Sequence, residues 1–201
     1  MKCLGPFCAG AVRDFLLQGL LLAVIGLAFW AGPTHAAQDP DAIERQIKAA
    51  YLFNFAKFVT WPTQALPTNP SVPFRIGILA DRPFYEEVKR AVSGKSIGEH
   101  PFTVELLSDA DQASRCQILF VGAAAQANVA QILSQLRAKP VLTVSDLEHF
   151  TQKGGAVRFF PHENARHEKT LLFEINAEAA REGGLKISSK LLQLSKHAPD
   201  R

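Results

Sequence analysis

The sequence predicts an α/β fold: a single compact domain with a mixed, mostly parallel sheet flanked by helices and a C-terminal antiparallel hairpin. Three observations predict it. Short apolar runs at 74–79 (FRIGIL), 117–121 (QILFV) and 140–144 (PVLTV) read as strands buried on both faces. Segments of helical periodicity alternate with them, the order that builds a parallel sheet with helices on its faces. Later, two strand-like runs flank a polar tip, PHENARHEK, as in a hairpin. The 201 residues, 47% apolar and 20% charged, suit one soluble globular domain, which we place at 38–201.

Residues 1–37 read as an export signal. Lys2 and Arg13 precede an apolar run from Phe15 to Gly32, and Pro33 then leads to small residues at Ala36 and Ala37, either of which suits cleavage. A run of this length also has the reach of a retained anchor. No cysteine follows it at a lipoprotein-type cleavage point, so the expected product is free in the periplasm, without direct membrane insertion. Loss of the signal removes Cys3 and Cys8 and leaves Cys116 as the only thiol. Two readings of Cys116 stand: a buried cysteine opening an apolar strand, or a redox-reactive thiol that pairs between chains.

The mature chain opens with a helix. Asp39-Pro40-Asp41 suits a helix start, and Ile43, Ile47, Ala50, Tyr51, Asn54, Phe55 and Phe58 recur at helical spacing as one stripe. Trp61-Pro62 ends it. Tyr51, Phe53, Phe55, Phe58 and Trp61 crowd this stretch, yet its polar face holds only Lys48 and Lys57, a poor match to a basic interfacial helix. Leu52 and Phe53 point away from the stripe and need cover, from another element or from a second chain.

A proline-rich loop leads to the first strand, Phe74 to Leu79. A helix from Pro83, a strand from Phe102 to Leu107, the strand from Gln117, an Ala-rich helix from Ala124 to Arg137 and the strand from Pro140 follow in order. Ser145-Asp-Leu-Glu148 is a capping-box pattern that predicts a short helix closed by Gly154-Gly155. In the hairpin, Ala156 to Phe160 and Thr170 to Ile175 are the two strands; if Arg158 lies opposite Glu174, Phe160 lies opposite Leu172. Val157, Phe159, Leu171, Phe173 and Ile175 then share the core face. Asn176 caps AEAAREGG, and Ser188 or Ser189 caps KLLQLSK.

Signatures of catalysis are few. The chain has no G-x-S-x-G, H-E-x-x-H or C-x-x-C pattern. Gly94-Lys95-Ser96 lacks the upstream glycine of a phosphate loop, since position 89 is Lys89. His162, Glu163 and His167 are one residue too widely spaced for a zinc-binding helix face, so we predict no metal site and no cofactor. A formal charge of +3 without a basic stripe argues against nucleic acid. Lys186, Ser188, Ser189 and Lys190 set cations and hydroxyls beside a helix N-terminus; they read either as capping hydroxyls with solvated lysines or as an anion site.

The chain resembles the YfiR-like family of periplasmic regulators, through IKAAYLFNFAKFVTWP at 47–62, CQILFVG at 116–122, PVLTVSD at 140–146, GGAVRF at 154–159 and FEINAEAAREGGLKISSKLLQLSK at 173–196. The resemblance implies a compact, often dimeric domain without catalysis, which holds the periplasmic sensor part of an inner-membrane diguanylate cyclase inactive. Cyclic di-GMP and biofilm formation would follow its release. Relatives that pair two cysteines carry a second one after the segment matching VSD; SDLEHFTQKGG has none, so the resemblance does not extend to an internal redox switch. Relatives also bind small ligands near the segment matching 185–190. Expected partner contacts are Leu52, Phe53, Phe160 and Leu172, and the alternative reading is a periplasmic small-molecule-binding module.

Overall fold

The computed structural model describes residues 39–66, 69, 71–163, 167 and 169–195. The expected signal at 1–37 lies outside the described residues, as do Pro67, Pro70 and part of the hairpin tip. Helix α1 (Pro40–Phe58) starts where Asp39 accepts a hydrogen bond from the Asp41 N–H, with Pro40 in the first turn and Lys57 in the last. It ends at Val59, whose β-branched side chain sits in extended backbone. Among the described residues no helix is long and apolar enough to cross a membrane.

Strand β1 (Val59–Thr60) leads through the loop to β2 (Phe74–Leu79), then α2 (Arg82–Val92), β3 (Ser96–Ile97) and β4 (His100–Leu106). A 3-10 turn precedes β5 (Ile118–Val121), and a second 3-10 turn at Ala123–Asn128 precedes α3 (Val129–Leu136). Strand β6 (Leu142–Ser145), the hairpin of β7 (Val157–Glu163) and β8 (Lys169–Ile175), α4 (Ala177–Glu182), β9 (Lys186–Ile187) and α5 (Ser189–Leu194) complete the order. The main sheet has seven strands in the order β3-β4-β2-β5-β6-β7-β8. From β4 through β7 the pairs are parallel; β7 and β8 pair antiparallel.

Each face carries its own core. Inward residues such as Ile76, Phe120, Val144, Phe159 and Phe173 meet α1 and α2, while Leu79, Leu119 and Val121 on the other face meet α3. Gly77 is needed on that second face: a Cβ would lie 2.8 Å from Leu107 Cδ1 and 2.9 Å from Cys116 Sγ.

Four expectations change. The stretch after Ser145 is a series of turns, not a helix, because the Ser145 hydroxyl donates to the Val121 carbonyl and accepts from the Leu147 N–H. It therefore does not cap at Glu148, and His149 turns to a left-handed φ of 59°. The expected helix at 124–137 begins as 3-10, with no side-chain cap at Gly122 and no buried residue in that turn. The opening helix stops at Phe58, short of Trp61-Pro62, because Val59 and Thr60 pair with Ile187 and Lys186 as a separate two-stranded sheet of β1 and β9. Finally, α1 is rotated from its expected stripe: Lys48, Ala49, Leu52, Phe55 and Ala56 are buried, whereas Ile43 and Ile47 are 39% and 40% exposed.

Candidate functional site

The hairpin is built in the expected register, with Arg158 opposite Glu174 and Phe160 opposite Leu172. On the inner face Phe159 and Phe173 are buried against Phe55 and Tyr51. Phe160 and Leu172 are half-buried on the outer face and belong to neither hydrophobic core. An ion pair fixes their surroundings: Arg158 Nε donates to Glu174 Oε1 at 2.8 Å, and Thr151 Oγ1 donates to the same oxygen at 2.5 Å. The Arg158 guanidinium also lies 5.1 Å from the Phe160 ring centroid, so the ring is oriented from one side.

Burial alone would push the Glu174 carboxyl up, but hydrogen bonds from Arg158 and Thr151, with the charges of Arg158 and His149, outweigh it and hold the group below the usual carboxylate range. A group held low in this way stabilises the fold above its unfolded-state pKa, about 4.3, and the contribution disappears as pH falls through the native value. Glu174→Gln is expected to cost about 1–3 kcal/mol at neutral pH, and its gap from wild type closes in acid. Thermal melts of both proteins from neutral to acid pH measure this; a constant gap contradicts it.

The other candidate contacts do not join this surface. Leu52 is fully buried in the core, so it is withdrawn as a contact: its face of α1 is covered by the domain itself. Phe53 is half-buried, stacks edge-on against Phe102 at 5.6 Å, and holds the Lys57 and Lys95 ammonium groups 4.0 and 4.3 Å from its centroid. Phe102 belongs to β4 and packs on the α1 face, whereas Phe160 and Leu172 lie on the outer face, on β7 and β8, with β2, β5 and β6 between them and β4. Phe53 and the hairpin pair are thus separate features.

Cys116 is 2% exposed and lies against Gly77. Burial, reinforced by the Glu105 charge and only partly offset by Arg75 and Arg115, pushes its thiol up to about 11. The redox reading is corrected accordingly, because the reactive species is an accessible thiolate and this thiol is neither accessible nor ionised at neutral pH. Native protein is expected to resist a disulfide-exchange thiol reagent that labels the guanidinium-unfolded chain fully; rapid native labelling contradicts this.

At the anion candidates, Ser188 caps α5 by accepting from the Leu191 N–H, Ser189 is the first residue of that helix, Lys186 sits in β9, and Lys190 lies 5.6 Å from the Phe58 centroid. The capping role is thus met by Ser188. Sequence reasoning missed a different cluster. Lys48 is buried and its ammonium contacts Asp146 at 2.6 Å and Glu44 at 2.7 Å. Burial pulls Lys48 down, but the two carboxylates outweigh it and raise its pKa. The available signal was positional: Asp146 is the first residue beyond β6, at the strand's carboxyl end, where α/β proteins place polar sites.

Fold and surface together define a one-domain α/β protein with a mostly parallel sheet and an outward-facing hairpin. The YfiR/HmsC-like family model matches residues 45–196, and the chain belongs to that family. Comparison with curated proteins finds none that matches. The segments at 47–62 and 140–146, on which the resemblance partly rested, meet in space at the Lys48 contact with Asp146.

Proposed function

We propose that this protein is a non-catalytic periplasmic regulator, which binds the periplasmic sensor part of an inner-membrane diguanylate cyclase and represses it, so restraining cyclic di-GMP and biofilm formation. The observation that carries this reading is the family match across residues 45–196. The outer face of the hairpin supplies the contact: Phe160 and Leu172 are paired, half-exposed and outside both cores, as suits an apolar anchor for a protein partner. Phe53 is a secondary contact, with lysines on its ring. Repression is tested by deleting the gene in cells with and without the cyclase. Cyclic di-GMP should rise only where the cyclase is present; an unchanged level in those cells would sink the proposal.

A further inference from the structure

Helix α1 has two faces, and the domain buries one of them. Lys48, Ala49, Leu52, Phe55 and Ala56 are buried, whereas Ile43, Ile47, Ala50, Asn54 and Lys57 are exposed. The exposed set is spaced four, three, four and three residues apart, the 3.5-residue period of a seam along which two helices pair. Tyr51 and Phe58 flank it on one side and Phe53 on the other, all three half-buried. Among the described residues only four large apolar side chains are exposed, and Ile43 and Ile47, one turn apart at 39% and 40%, are two of them. A solvated helix face has no use for isoleucines at that spacing, so the seam calls for a cover.

The charges along the seam indicate what that cover is. At its amino end Asp39, Asp41 and Glu44 outnumber Arg45 and Lys48, and Lys48 is buried. At its carboxyl end three ammonium groups gather: Lys57 and Lys95 lie 4.0 and 4.3 Å from the Phe53 centroid, and Lys190 lies 5.6 Å from that of Phe58. A two-fold axis between Ile47 and Ala50 sets two copies of α1 antiparallel, Ile47 against Ala50 and Asn54 against Ile43. Lys57 then comes level with Pro40 of the second copy, beside Asp39 and Asp41, so the acidic end of each helix meets the lysines of the other. One face supplies both members of every pair, as an isologous contact requires. Ala50, small and central, lets the helix axes approach to the usual spacing of about 8–10 Å. Parallel pairing instead brings Lys57 against Lys57 and acid against acid.

We infer that a second copy of this chain covers α1, its own α1 packed antiparallel along the seam from Ile43 to Lys57. This dimer stands apart from the regulator reading, because Phe160 and Leu172 lie on the outer face of the sheet and stay free for another partner. A helix of 19 residues is about 28 Å long, so the contact is smaller than a standard interface and the dimer should dissociate on dilution. Sedimentation equilibrium of the purified protein at low salt, from micromolar to near-millimolar concentration, is expected to show a reversible monomer–dimer equilibrium. Ile47→Lys should weaken it about tenfold or more, since the change falls on both copies at the centre of the seam. Its melting temperature at a concentration where both proteins are monomeric should stay near wild type; should that variant unfold, Ile43→Gln carries the comparison. Lys57→Gln should weaken the dimer about twofold to threefold at low salt, whereas a parallel pair would be strengthened. Wild-type protein that stays monomeric throughout overturns the dimer, whether the seam is then open or covered by residues 1–37. A folded Ile47→Lys variant that dimerises as wild type does, or a Lys57→Gln dimer as tight as wild type or tighter, also overturns it.

Discussion

Replacing Phe160 and Leu172 together by threonine is expected to weaken association with the cyclase's periplasmic domain by about thirtyfold or more, roughly 2 kcal/mol. The magnitude follows from the proposed role of the two side chains as apolar anchors of the contact. Threonine has high strand propensity, and threonine pairs are favourable across antiparallel strands, so the hairpin should persist. Because both residues lie outside the two cores, the double variant should melt close to wild type. Leu52→Ala provides the contrast: it empties a fully buried site at a cost of about 2–5 kcal/mol, and any loss of binding should follow loss of fold. Comparing affinity with melting temperature in the two variants separates contact from core. If the threonine variant binds as wild type does, the hairpin face is not the contact.

Removing both carboxylates from Lys48 is expected to be the most destabilising change at the helix's polar end. The Lys48 side chain is 10% exposed, whereas Asp146 and Glu44 are 32% and 48% exposed. Glu44→Ala with Asp146→Ala strands a buried ammonium, at a cost of about 3–5 kcal/mol. Lys48→Met alone leaves carboxylates that can turn to water and keeps an apolar stem, so it should cost about 1 kcal/mol. Adding Lys48→Met to the double variant should therefore restore most of the lost stability. A group with a raised native pKa stabilises fully below its unfolded-state value, about 10.4 for lysine, and that advantage declines as pH rises through the higher native value. Denaturant unfolding of all three variants tests this; a triple variant no better than the double contradicts it.

The sequence was most informative where a short apolar run or a strict period of two left a single reading. FRIGIL matches β2 at both ends, and alternation in the hairpin placed Phe160 opposite Leu172 because a slip of one residue would turn every core side chain outward. It was least informative in α1. That helix is apolar on almost every side, so its periodicity did not determine which side faces inward, and packing against the sheet buried Leu52 and Lys48 while exposing Ile47. The β1 and β9 pairing joins two-residue strands far apart in the chain, too short to leave a pattern. Ser145 misled because its local capping pattern competes with a tertiary acceptor, the Val121 carbonyl. The Lys48 cluster depends on residues 98 positions apart, a proximity created only by folding.

Titration of the purified protein into the purified periplasmic domain of the membrane-bound cyclase tests the central claim most directly. The account predicts saturable binding that the Phe160 and Leu172 threonine variant loses and that Cys116→Ser retains. A titration without saturable heat, or one in which the threonine variant binds as tightly as wild type, would contradict it.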